Sequence, residues 1–255
     1  MKLALSSRPW ELPDRYSINQ MQHLEITREL GYDGIELRYP LLPDSAAGIR
    51  ELAAALADLA LTVVFGPCAG VPTDAAGWDD AKRVIEKLHA LGAKWLKCLP
   101  IDAEQVDGMV QLADLVQASG MKLCTQLHAY TLTDTIDNTE RFLKEVDHPA
   151  IGVMFDPAHL QLAGDDDVAG GISRLSPWLE LVNIQCLAPD PDGDDWVPVL
   201  PGAPGATDLN GTLKALPAGD WWLTVMPACT PEQDPMAVAR SYRAALTDAC
   251  GNNAT

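Results

Sequence analysis

Short apolar runs and longer helix-type runs alternate eight times along this 255-residue chain, and that alternation limits the fold more than any other feature. The apolar runs are KLALSS (2–7), YDGIELR (32–38), LTVVFGPC (61–68), AKWLKCLP (93–100), MKLCTQL (121–127), IGVMF (151–155), WLELVNIQCL (178–187) and DWWLTVMPAC (220–229). Each is a short, mainly apolar run, as buried strands are. Helical patterns follow them: 19–30, ended by Gly31; the Ala/Leu-rich run to Leu59, with Asp44 or Ser45 as N-cap; 79–92; and 102–120. The chain continues with 131–148, stopped by Pro149, a weaker segment at 164–175 interrupted by Gly170 and Gly171, then 209–216 and 235–250. Regular β–α alternation means parallel strands, and eight repeats at this length predict a single-domain α/β (β/α)8 barrel over 1–250, with 251–255 as a disordered tail. An open doubly wound sheet would carry a Gly-rich phosphate turn after an early strand, and none is present.

Charge and cysteine usage narrow the partners. The chain has 36 acidic residues against 18 Lys and Arg, a net charge of −18. Such a surface repels phosphate backbones and anionic membranes, so neither nucleic acid nor a membrane is an expected partner. Six cysteines without paired spacing read as free thiols of a reducing compartment, and with no signal-peptide pattern or membrane-length run the expected location is cytoplasmic.

In a parallel barrel, chemistry sits past the C-terminal ends of the strands. The stretch 121–160 places Gln126 and His128 after one strand and Asp156 and His159 after the next. Asp156 is a candidate acid–base group, with a structural cap for the loop into Pro157 as the other reading. His128 shares a face with Gln126, and His159 follows Asp156 by three residues, near enough to orient it or to line the mouth. Glu36 and Arg38 share a face of the second strand, as a pocket pair or as an ion pair at the surface or barrel bottom. Lys97 is a candidate carbonyl or anion ligand, although a stem snorkelling between strand and helix fits the pattern better. Cys98 and Cys124 read as packing. Trp10, Trp196, Trp221 and Trp222 are candidates for a stacking wall. Trp196 in the long acidic loop 188–206 is the best placed as a lid contact, and Trp221 and Trp222 have the core as their alternative.

GYDGIELR, HALGAKWLKC, the strand–helix–FDPAHL pattern and PGAPGATDLNGTLKAL together resemble the xylose isomerase-like, sugar phosphate isomerase/epimerase family of barrels over most of the chain. The resemblance implies a divalent metal held at the ends of strands five to eight. Those positions carry Gln126, Asp156, Gln185 and Met226 here, so one carboxylate remains. Asn183 shares the strand face of Gln185, and no register slip brings a His into that strand. The resemblance therefore implies a degenerate metal site. No cofactor is expected, and a weakly held Mn²⁺ or Mg²⁺ on Asp156, Gln126 and Gln185 is the most this set would accommodate. The family's nuclease branch does not match, because its multi-zinc centre needs more His and carboxylate ligands than this chain offers.

The function expected from these residues is acid–base proton transfer on a sugar, polyol or related hydroxy-carbonyl compound, of isomerase or epimerase type and without the metal. Asp156 or Glu36 would be the base and His128 or His159 the acid. Gln126, Gln185, Arg38, Lys97 and Trp196 would contact the substrate. A lyase or dehydratase acting on an activated carbonyl is an alternative. So is a non-catalytic sugar-binding barrel or a supporting subunit of a hetero-oligomer. The resemblance leaves room for a homo-oligomer, but no segment marks an interface.

Overall fold

The computed structural model of the protein describes residues 1–38, 41–67, 70–191, 193 and 195–252. Eight parallel strands close into a barrel: β1 (Lys2–Leu5), β2 (Gly34–Glu36), β3 (Thr62–Pro67), β4 (Trp95–Lys97), β5 (Lys122–Gln126), β6 (Ile151–Phe155), β7 (Leu179–Ile184) and β10 (Trp222–Val225). Neighbours run in sequence order around the barrel, and β1 pairs with both β2 and β10 to complete it. Helices α1 (Gln20–Glu29), α2 (Ala46–Asp58), α3 (Ala75–Ala90), α4 (Val106–Ala118), α5 (Ile136–Val146), α6 (Pro157–Leu162), α7 (Val168–Leu175), α8 (Leu209–Ala215) and α9 (Pro235–Asn252) connect or follow the strands.

Local chemistry sets these boundaries. Asn19 and Gln22 form a reciprocal capping box at the start of α1, and Gly31, at φ +76°, lets the chain turn after it. Ser45, rather than Asp44, caps α2. The helix at 164–175 is shorter than its pattern suggested. Asp167 caps it and it spans only Val168–Leu175. Helix α9 continues to Asn252, beyond the expected end at 250. Residues 253–255 of the expected tail lie outside the described residues, as do Tyr39, Pro40, Cys68, Asp192 and Asp194.

The loop 188–206 is not wholly irregular. β8 (Leu187–Pro189) and β9 (Trp196–Pro198) pair antiparallel as a small hairpin beyond β7, with Trp196 opposite Pro189. The β-forming Trp-Val pair and the turn residues between the strands account for it.

Strand alternation sends Ala4, Val64, Cys124, Met154, Leu181 and Trp222 into one buried cluster that plugs the lower barrel. Trp222 is therefore core and not part of a ligand wall, and Trp10 is buried against the α9 side of the protein. Trp221 is half-buried, its indole N–H bonded to the Pro217 carbonyl. Gly34 is required where it stands. A Cβ there would sit 2.5 Å from the Thr62 carbonyl oxygen and 2.9 Å from the Trp222 ring. Gly34→Ala is expected to cost about 1–3 kcal/mol by overpacking, and an unchanged urea midpoint would show that the barrel wall can yield there.

Among the described residues, no helix is long and apolar enough to cross a membrane. Cys98, Cys124, Cys186, Cys229 and Cys250 are free thiols, the first three buried.

Candidate active site at the barrel mouth

Side chains from the ends of β5 and β7 meet at the carboxylate of Asp156, which is completely buried. Asp156 ends β6 and is the N-cap of α6, with Pro157 in the first turn where a missing N–H costs nothing. Its Oδ1 accepts hydrogen bonds from the backbone N–H groups of Ala158 (3.1 Å) and His159 (3.2 Å). Its Oδ2 accepts from Gln126 Nε2 (2.6 Å), Asn183 Nδ2 (2.6 Å) and Gln185 Nε2 (2.9 Å). Asn183 and Gln185 reach the same oxygen because residues two apart on a strand share a face. The capping reading of Asp156 is thus met. The sequence reading had Asn183 only as a register neighbour, and its role as a third amide donor follows from barrel closure.

The network continues toward β2. Lys97 Nζ donates to Gln126 Oε1 (3.3 Å), lies 3.9 Å from Glu36 Oε1 and sits 5.3 Å from the Phe65 ring centre. The expectation that the Lys97 stem snorkels between strand and helix is therefore corrected: β4 turns it into the barrel, where a carboxylate and an amide oxygen compensate its burial. Glu36 is wholly buried at this end of the barrel, so a surface or bottom ion pair is also ruled out. Arg38 bonds Glu36 Oε1 (3.3 Å), Glu11 Oε2 (2.9 Å) and the Tyr16 hydroxyl (3.0 Å), with Met226 Sδ 4.0 Å away. Burial alone would raise the Glu36 carboxyl, but the charges of Arg38 and Lys97, helped by the Ser6 hydroxyl, hold it below its usual range. Burial also depresses the Lys97 ammonium, against the pull of Glu36. No hydrogen bond or ion pair among the described residues joins Trp196 to this network; it lies in the hairpin.

His128 and His159 stack with ring centres 3.7 Å apart and planes tilted by 31°. The backbone of one residue, Ala129, sets both rings. His128 Nδ1 is 2.7 Å from the Ala129 carbonyl oxygen, which can only accept, so this nitrogen carries the proton and Nε2 is left with a lone pair. The Ala129 N–H points to His159 Nδ1 at 3.4 Å, so in the neutral ring the proton lies on Nε2, 3.9 Å from Asp156 Oδ2. The two imidazoles are thus held in opposite tautomers, one presenting an acceptor and the other a donor. Burial lowers both, His159 to about 4, with Asp156 opposing the shift and His128 adding to it. Neighbouring Tyr130 is 86% exposed at φ +68°, a rare backbone state for an aromatic residue.

Two buried histidines make stability depend on pH. His23, fully buried under Trp10, is lowered to about 4 by burial, as is His159. The unfolded chain takes up these protons below about pH 6.5, whereas the folded chain refuses them until about pH 4. Stability contributed by the neutral forms is complete above that window and is lost as pH falls through it, up to roughly 3 kcal/mol per histidine. Urea unfolding at pH 7.5 and pH 5 should show the loss, and His23→Gln should reduce it. An equal drop in that variant would remove His23 from the account.

The four side chains at the metal positions of the resembled family do not fit a divalent cation. Gln126 and Gln185 turn their N–H groups, not their carbonyl oxygens, toward Asp156, and that carboxylate already has five donors. Reversing either amide would set its oxygen against a carboxylate oxygen. Met226 offers a soft sulfur with the Arg38 guanidinium beside it, which repels a second cation. Among the described residues, no group of three or more His, Cys, Asp or Glu side chains is placed to hold a metal ion.

A family model described as the xylose isomerase-like TIM barrel matches residues 24–227. The chain belongs to this family. Within it, the chain is similar to a 3-dehydroshikimate dehydratase of Bacillus anthracis, with 32% identity over 119 residues, 40% of this chain and 42% of that protein. The match thus spans about two-fifths of that relative. Among solved structures, the probable 3-DHS dehydratase AsbF of Bacillus anthracis superposes with a TM-score of 0.78 at 17% identity, over 97% of this chain and 99% of that one. An L-ribulose 3-epimerase superposes with a TM-score of 0.77 at 19% identity, over 98% and 95%. At these identities the structural likeness establishes the shared barrel. The family contains enzymes that eliminate water and enzymes that epimerise sugars.

Proposed function

We propose that the protein is an enzyme that moves a proton at the carbon beside a carbonyl in a small hydroxylated compound, without a divalent metal. The observation that carries this reading is the stacked pair His128–His159, held in complementary tautomers by the Ala129 backbone. His128 Nε2 would take the proton. His159 Nε2–H, near Asp156, would donate a hydrogen bond to a departing or developing oxygen. Lys97, with Gln126 beside it, would stabilise charge on the carbonyl oxygen as it forms. In this reading Asp156 positions other groups, because both its oxygens are already held by donors, and Glu36 acts through Oε1 on Arg38 and Lys97.

Base and donor lie on one side of the ligand, since the rings are in contact. That favours elimination of water from a β-hydroxy carbonyl, or a proton shift through an enediol, over epimerisation with a base on each face. In the elimination, His128 removes the α-proton, the C–H electron pair forms the new double bond, and the β-hydroxyl, held by a hydrogen bond from His159 Nε2–H, departs as water with the proton that His128 carries, which returns His128 to its neutral form. The similarity to a dehydratase supports the same choice. The test is incubation with 3-dehydroshikimate, watching for the aromatic product of water loss, and in parallel with D-fructose in D₂O, watching for exchange of the proton next to the carbonyl. Neither reaction in protein purified without chelator would reject acid–base catalysis. It would favour the second reading, a non-catalytic ligand-binding barrel, to which the self-satisfied Asp156 cluster and Met226 lend support. The free thiols fit a cytoplasmic location.

A further inference from the structure

A cavity of about 760 Å³ opens where the chain leaves β1 and β10, on the same face of the barrel as the histidine pair. Arg8, Trp10, Glu11, Ser17, Thr230 and Gln233 contribute to its lining. Arg8 is half-buried there and, among the described residues, its guanidinium makes no ion pair or side-chain hydrogen bond. That is unusual in a chain with twice as many acidic as basic residues. The nearest candidate in the cavity wall, Glu11, is taken by Arg38 at 2.9 Å. Arg8 follows the C-terminal end of β1, the end of the barrel at which Asp156 and the histidine pair stand, and its charge disfavours protonation of Lys97, His128 and His159. A half-buried guanidinium left unpaired forgoes interactions that a ligand oxyanion would restore.

The lining also indicates which anion. Pro9, Pro13, Pro231 and Pro235 have no N–H, and no Gly-rich turn is present, so the wall lacks the converging backbone donors that phosphate sites use. A single planar fork in a largely apolar wall suits one carboxylate on a carbon skeleton. We propose that this cavity is the carboxylate subsite of the barrel mouth, with Arg8 anchoring an anionic hydroxy-acid ligand. As to substrate class, the assignment rests on the reading of this mouth as the substrate site.

Calorimetric titration of the full chain with shikimate, D-gluconate, methyl shikimate and D-ribose 5-phosphate tests it. At least one of the two acids should bind at least tenfold more tightly than the neutral ester and weaken as salt rises. Arg8→Gln should abolish that preference and Arg8→Lys should keep part of it, with circular dichroism unchanged in both. Equal binding of acid and ester, an unchanged acid affinity in Arg8→Gln, tighter binding of the phosphate, or no binding of either acid would each overturn the assignment. Proton exchange in D₂O separates the two readings. Acid binding through Arg8 without any His128-dependent exchange would retain the subsite and reject the catalytic reading. Exchange on D-fructose with no Arg8-dependent acid binding would do the reverse.

Discussion

Replacing Asp156 by alanine is expected to destabilise the protein by roughly 3–5 kcal/mol, the range for removing one member of a buried charged network. Five N–H donors from two strand ends and a helix N-terminus would lose their common acceptor. Each unsatisfied buried donor carries a desolvation penalty of about 1–3 kcal/mol, reduced where neighbours relax or water enters. For a chain of this size the melting temperature should fall by roughly 6–20 °C. Asp156→Asn should be nearly as damaging, because its amide would turn a donor toward Gln126, Asn183 and Gln185. Thermal unfolding followed by circular dichroism measures both. A fall of less than about 3 °C would mean that the amides have other acceptors and that Asp156 is not the anchor of the site.

His128→Gln is expected to lower kcat by about 10²–10⁴ while leaving KM and the folded state nearly unchanged, the signature of a lost proton acceptor. The ring is exposed enough at the mouth to be replaced without opening a cavity, and its one strong hydrogen bond is to the Ala129 carbonyl. Activity requires the neutral imidazole. Because burial holds His128 below its ordinary value, the acid limb of kcat should fall below about pH 6.5, the value of a free histidine. His159→Gln should reduce the rate through loss of the donor. Its own depressed value, about 4, makes it neutral and donating across the same range. A kcat for His128→Gln within about threefold of the parent would assign proton abstraction to another group and reject the pair as catalyst.

Much of this protein follows from local patterns. Alternating apolar and helical periods identify eight parallel strands, and the cap signal at Asp44–Ser45 places the start of α2 to within a residue. The two-residue repeat of a strand also puts Gln126 with His128, Asn183 with Gln185 and Glu36 with Arg38 on common faces, because side-chain direction is a property of the backbone alone. The chemistry of Gln126, Gln185 and Met226 is likewise written in residue identity, and a soft sulfur beside neutral amides is a poor home for a hard cation whatever the fold.

Tertiary structure decided the rest. Lys97 reads better as a stem snorkelling between strand and helix, and only barrel closure sets it against Glu36 and Gln126. The direction of each amide depends on a carboxylate about 30 residues away in sequence, and the tautomers of His128 and His159 on the N–H and C=O groups of one residue, Ala129. The hairpin β8–β9 removed Trp196 from the network, and the unpaired state of Arg8 appeared only when Glu11 was found bound to Arg38. Hydrogen bonds and ion pairs act over a few ångströms and depend on angle, so residues distant in sequence acquire their roles only when the chain closes around them.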